Sequence, residues 1–224
     1  MRAKSVFFHV IILAAIIGTA ALGVWQLHRR EWKHALIAET SARLGLPPVN
    51  LTGPVDDHFH WRYAKLSGTV DYTHALKIPR FAKDIRCVAD GTHGMIIVAP
   101  VRLADGSQVL LRTGWFQGDA LDHPAREHIQ IIGVIHPFIS PWMAPYDAAS
   151  DSWFLPAPEM YDHLTLPRLD YYVDNASGGQ NCHFPQPLWE EPELPDNHLQ
   201  YAITWFALAA VLTGMYAFAL VRKP

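Results

Sequence analysis

His198 opens the last apolar stretch of the sequence, and it is the side chain there best suited to chemistry. His198, Tyr201, Trp205, Ala209, Leu212 and Tyr216 recur at three- and four-residue intervals, the spacing of one stripe on a helix. One reading of this stripe is a ligand or partner site, with His198 as the polar group at its rim. The same stripe also reads as an interfacial aromatic belt. Tyr and Trp favour the membrane–water boundary, and His198 would then be a polar flank within it. Spacing alone leaves both readings open.

Other chemistries find less support. The 13 histidines are scattered, and no Cys-x-x-Cys occurs, so no structural zinc site is expected. Cys87 and Cys182 are too far apart in sequence for a metal or redox motif. They could form one disulfide in an oxidising compartment, or neither could matter. No Gly-x-Ser-x-Gly or His-Glu-x-x-His motif supports a membrane-anchored hydrolase, and the chain reads as a non-enzyme. Copper delivery would want Cys-x-x-x-Cys or a cluster among the 5 methionines, and has neither. Asp151, Asp162 and Asp170 read as solvated or capping residues, and Trp115 and Trp153 as core. A net charge of −3 with no basic excess argues against a nucleic-acid partner.

The elements that must position His198 are membrane helices. Residues 199–221 carry no charge; as a helix they would be about 35 Å long, enough to cross a hydrocarbon layer of about 30 Å. Asp196 and Asn197 are good N-caps, and Arg222 and Lys223 suit the C-terminal end. Residues 6–27 form a second uncharged run. Gly18-Thr19-Ala20 offers small residues for signal cleavage, but the run continues past them to Trp25 and Leu27, which predicts a retained helix. Ala14, Gly18 and Ala21 on this helix, and Ala210, Gly214 and Ala217 on the last, predict a close helix pair. His9 reads as interfacial. Both termini are basic and two spans enclose one long domain. This predicts cytoplasmic termini, a periplasmic central domain and a bacterial inner membrane.

Between the spans, residues 31–44 read as a helix continuing from the membrane, ended by Gly45 and Pro47-Pro48. Strand signals follow at 63–72, 75–78, 95–103, 108–116, 129–135 and 169–173, with a short helix at 159–164. Ala104-Asp105-Gly106 marks a hairpin. Residues 185–195, with four prolines and three acidic residues, read as a stiff linker. The expected fold is a membrane α+β protein. Two transmembrane helices (1–27 and 196–224) flank a mainly antiparallel, curled or barrel-like extracytoplasmic domain (28–195).

Several blocks together resemble one family. They are Leu22-Gly23-Val24-Trp25-Gln26-Leu27 with Arg29 and Trp32-Lys33, then Leu66-Ser67-Gly68-Thr69-Val70-Asp71, then Pro100 to Gly106 through Gly114-Trp115. Trp153-Phe154, Tyr172-Val173-Asp174 and Gly178-Gly179-Gln180 follow, and Asn197-His198-Leu199-Gln200-Tyr201-Ala202-Ile203-Thr204-Trp205-Phe206 closes the series. In this order they resemble the surfeit locus protein 1 family of cytochrome c oxidase assembly factors. Arg112-Thr113-Gly114-Trp115 departs from that family's usual Arg-Gly-Trp. The resemblance implies a respiratory-chain chaperone that binds haem a as transient cargo and assists its insertion into oxidase subunit I. It implies the haem a synthesis enzymes, subunit I and membrane lipid as partners. It links His198 to the haem iron, and Tyr201 and Trp205 would give the macrocycle apolar cover. The alternative is a membrane scaffold that stabilises subunit I without binding a cofactor.

Overall fold

Alternating strands and two apolar ends fold into two units. The computed structural model describes residues 2–85, 87–118, 124–138, 145–148, 152–177, 185–189 and 196–222. Gly178-Gly179-Gln180, Cys182, His183, Asp151, Lys223 and residues 190–195 of the expected linker lie outside them. One unit comprises Met1–Thr40 with Pro192–Pro224, the other Ser41–Glu191.

The β unit holds β1 (Val49–Leu51), β2 (Tyr63–Asp71), β3 (Leu76–Pro79), β4 (Gly94–Leu103) and β5 (Gln108–Gln117). It continues with β6 (Arg126–Pro137), β7 (Tyr146–Asp147), β8 (Ser152–Trp153), α2 (Glu159–His163) and β9 (Tyr171–Asn175). The seven-stranded sheet runs β1-β2-β6-β9-β5-β4-β3, and an added β2–β4 pairing closes it into a barrel. Each strand signal of the sequence, the hairpin and the short helix recurs within a few residues of its expected bounds. Two pairs, β1–β2 and β5–β9, are parallel.

Gly68 explains the closure locally. A Cβ there would meet the Arg102 carbonyl oxygen at 2.4 Å. Gly68 faces Leu103 where β2 meets β4, so the missing side chain lets the two backbones pair. Strand β4 is buried on both faces. Met95, Ile97, Ala99, Val101 and Leu103 belong to one cluster with Leu66, Val70, Leu111 and Val173. Ile96 and Val98 belong to a second with Trp115, Trp153, Met160 and Tyr161. Trp115 and Trp153 are therefore core residues, as their sequence context suggests. Thr113 sits at a β-bulge, with Gly114 opposite Ile97 and Arg112 opposite Val98, so the unusual Arg112-Thr113-Gly114 order is taken up by the strand irregularity.

The helical unit is built from α1 (Arg2–Leu44) and α3 (His198–Val221). Both are long and apolar enough to cross a membrane, and Phe7, Ile11, Ile17, Val211, Met215 and Phe218 expose their side chains as lipid-facing positions would. Helix α1 is unbroken from the apolar run through residues 31–44. The helices pair antiparallel: His9 meets Tyr216, Gly23 meets Phe206 and Gln26 meets His198. On α1, His9, Ile12, Ile16, Thr19, Gly23 and Gln26 turn inward; on α3, Ala202, Trp205, Ala209, Leu212 and Tyr216 do. Both sets alternate three- and four-residue steps, the seam of a left-handed helix pair.

The expected small-residue interface is overturned. Ala14, Gly18, Ala21, Ala210, Gly214 and Ala217 are all exposed, and a Cβ at Gly18 or Gly214 would meet nothing within 4 Å. The glycine that matters is Gly23, where a Cβ would lie 2.7 Å from the Phe206 ring. Gly23→Leu should weaken pairing by about 1–3 kcal/mol through overpacking. Cysteines introduced at Thr19 and Ala209 should cross-link less in that variant and equally well in Gly18→Leu. An unchanged yield in Gly23→Leu would refute the contact.

Candidate functional site

Helix α3 starts at His198, and its first turn is held by a polar cluster. Asp196 Oδ1 accepts from the His198 backbone N–H at 3.0 Å, so Asp196 caps the helix. Its other oxygen, Oδ2, accepts from His34 Nε2 at 2.6 Å and lies 3.4 Å from Arg30 Nε, which ties the start of α3 to α1. The His198 ring is half-buried, with Nδ1 2.8 Å from Gln26 Oε1. An amide oxygen can only accept, so Nδ1 is the donor of this bond, and in the neutral ring Nε2 would be the nitrogen with the lone pair. Nε2 has no hydrogen bond among the described residues and is not one of the enclosed unpartnered nitrogens there. Fixing one ring nitrogen so that the other faces a metal is the usual arrangement of a ligating histidine.

The other two expected contacts diverge. Trp205 is half-buried on the inward stripe with His198, whereas Tyr201 is 54% exposed and Ala202 takes the inward position. His9 is hydrogen-bonded to Tyr216 Oη at 3.0 Å, a contact within the helix pair. Gln26, Arg30 and His34 escape a sequence reading of the site. Gln26 carried a signal all the same: it is the one amide side chain in the uncharged run 6–27. No group of three or more His, Cys, Asp or Glu among the described residues is placed to hold a bare metal ion.

Residues 13–210 match the family model described as the SURF1 family. The chain belongs to the SURF1 family. A SURF1-like protein of Rickettsia felis is 26% identical over 226 residues, covering 93% of this chain and 94% of its own length. Surfeit locus protein 1 of Xenopus tropicalis is 24% identical over 238 residues, covering 95% of this chain and 76% of its own. The mouse protein of the same name is 24% identical over 243 residues, covering 97% and 76%. The SURF1 match takes in α1 from residue 13 and α3 to residue 210, so His198 and Gln26 both fall inside it.

The β unit of this SURF1 chain holds a second polar group in apolar surroundings. His136, near the end of β6, stacks on Tyr172 at 4.9 Å and 27°, and Trp61 meets it edge-on at 4.4 Å. Burial pushes the His136 imidazole down to about 4, aided by the nearby Arg112 and His60 and opposed by the bond to the Pro137 carbonyl. An unfolded histidine titrates near 6.5, so between these values the unfolded chain holds a proton that the folded domain lacks. Stability should be full above about pH 6.5 and fall toward pH 4, by up to about 3 kcal/mol. Denaturant midpoints at pH 7 and 4.5 should differ more in the parent than in His136→Phe; equal differences would assign the acid sensitivity elsewhere.

Proposed function

We propose that this chain is an assembly factor for cytochrome c oxidase that binds haem a at His198 and assists its insertion into subunit I. The observation that carries the reading is the state of His198. Its Nδ1 is held by Gln26, its Nε2 has no described partner, and Trp205 lies on the same inward stripe. Membership of the SURF1 family supports the assembly role. An imidazole at the start of a membrane helix suits a lipophilic macrocycle approaching along the bilayer edge. A single protein ligand, His198, would hold such a group loosely enough for the release that a carrier needs. The role is non-catalytic: the chain binds, orients and passes on its cargo.

The test is co-expression with the haem a synthesis enzymes, followed by purification, an absorption spectrum and pigment extraction. Haem a should co-purify. Pigment-free protein from a host that still assembles oxidase through it would favour the scaffold that holds subunit I without a cofactor.

The same reading places the chain in a bacterial inner membrane with both termini cytoplasmic and the β unit periplasmic. Antiparallel pairing of α1 and α3 supports termini on one side. Cys87 is disulfide-bonded, which suits an oxidising compartment, and the only other cysteine of the sequence is Cys182, outside the described residues. A periplasm-only reporter should be active when fused at Gly45 and silent at Pro224; activity at Pro224 would overturn this orientation.

A further inference from the structure

Helix α1 carries an unpaired cation at the edge of its apolar run. The uncharged run ends at Leu27, and His28, Arg29 and Arg30 follow it. Arg30 and His34 lie on the side of the helix turned to α3, where both reach Asp196. Arg29 lies on a neighbouring stripe with Leu22, Trp25, Trp32 and Leu36, spaced by three and four residues. All of these side chains are exposed, Trp25 by 55% and Trp32 by 53%. The guanidinium carbon of Arg29 sits over the Trp32 ring, 4.0 Å from its centroid. No hydrogen bond or ion pair of Arg29 occurs among the described residues.

Depth along the helix selects what this stripe meets. At a rise of about 1.5 Å per residue, Trp25 to Trp32 spans about 10 Å, and Arg29 stands about 6 Å beyond Trp25. The headgroup layer is roughly 5–8 Å thick on each side of the hydrocarbon core. Leu22 and Trp25 end the apolar run and lie against acyl chains. Arg29 therefore falls at the level of the lipid phosphates, and Trp32 above it. Resting on the indole engages the face of the guanidinium and leaves its planar fork of N–H donors open. A phosphate offers the matching pair of oxygens. An arginine already seated on a ring also loses less freedom in making that contact.

Charge narrows the lipid. Glu31, two residues on, lies on the far side of the helix, and Lys33, one turn on from Arg29, is basic. A zwitterionic headgroup would bring its ammonium to Arg29 with no carboxylate on the stripe to receive it. An acidic phospholipid, a phosphodiester with an uncharged headgroup, brings the negative charge that the stripe lacks. We propose that Arg29, Trp25 and Trp32 form a binding site for one acidic phospholipid, its phosphate on Arg29 and its first acyl carbons on Trp25 and Leu22. The site is separate from His198, whose partner Gln26 faces α3, and it does not require that the chain carry haem.

The test uses the full chain, delipidated in detergent. The probes are phosphatidylglycerol and phosphatidylcholine with identical acyl chains, and native mass spectrometry reads the bound lipid. The parent should hold one phosphatidylglycerol about five- to tenfold more tightly than phosphatidylcholine. Arg29→Gln should bring the two lipids to within about twofold. Arg29→Lys keeps the charge but not the fork, and should show an intermediate preference. Trp32→Leu should weaken phosphatidylglycerol binding by about two- to fivefold. Lys65→Gln removes the same charge from β2, outside the apolar runs, and should match the parent. Gln and Lys are good helix formers at an exposed position, so circular dichroism should be unchanged in both Arg29 variants. Equal binding of the two lipids by the parent would overturn the site. So would a preference that survives in both Arg29→Gln and Trp32→Leu. A preference lost equally in Lys65→Gln would assign it to net charge and overturn the site as well. These outcomes concern lipid alone and leave the His198 reading untouched.

Discussion

His198→Ala is expected to lose most of the haem a that co-purifies with the parent chain, while insertion and folding change little. Nε2 of His198 has no hydrogen bond among the described residues, while Nδ1 is held by Gln26. In the proposed site, removing the imidazole would remove the iron ligand and leave only apolar contacts from Trp205 and its neighbours. Second-shell substitutions at metal sites already weaken binding by about 10–100-fold, so loss of the ligand itself should reach at least that range. Gln26→Ala is the graded companion. It frees the ring to turn and lets Nδ1 lose its proton partner, so it should weaken haem binding by roughly tenfold without abolishing it. The fold should tolerate both. Ala is the best helix former, and α3 keeps its cap because Asp196 accepts from the backbone of residue 198 rather than from the side chain. The lost Gln26 bond should cost about 1 kcal/mol. A parental haem spectrum and parental oxidase activity in His198→Ala would remove the ligand assignment. Haem loss with normal oxidase assembly would make the binding real but dispensable.

The second large effect is on stability, at the parallel β5–β9 seam within the barrel. Arg112 on β5 and Asp174 on β9 stand opposite each other in the parallel register. Arg112 Nε donates to Asp174 Oδ1 at 2.8 Å, and Arg112 Nη2 donates to Oδ2, a bidentate fork. The Asp174 side chain is 1% exposed. Burial pushes its carboxyl above the usual carboxylate range, and Arg112 is what opposes that push. Arg112→Ala would leave a buried carboxylate without its partner; Asp174→Ala would leave a buried guanidinium. Each should cost about 3–5 kcal/mol, a large share of a typical domain stability of about 5–15 kcal/mol. The double variant Arg112→Met with Asp174→Leu removes both charges and should recover most of the loss, since a buried pair is often no more stable than an apolar one. Denaturant midpoints of the parent, Arg112→Met, Asp174→Leu and the double variant complete a double-mutant cycle. Single variants within 1 kcal/mol of the parent, or a double variant equal to the sum of the singles, would show that the pair does not hold the seam.

Much of this protein was legible from local pattern. The uncharged runs 6–27 and 199–221 carry the membrane helices by length and composition alone. The loose alternation in β2, and the apolar runs of β4 and β5 on either side of Ala104-Asp105-Gly106, carry the strands and the hairpin, because a half-buried strand repeats every second residue and a fully buried one reads as continuously apolar. His198 stood out because it opens an apolar stripe in a block shared with a family. What depended on long-range packing was not visible. Strands β1, β7 and β8, of three, two and two residues, are too short to display a period. Two small-residue stripes and two mixed stripes were equally compatible with helix pairing. Only the fit of Gly23 to the Phe206 ring decides which pair faces inward. Arg112 and Asp174 are 62 residues apart, and nothing in either neighbourhood names the other. His136 is one of 13 histidines. Its burial and the rings of Tyr172 and Trp61 against it come from segments that meet only when the barrel closes, because such contacts are set by strand register and not by local sequence.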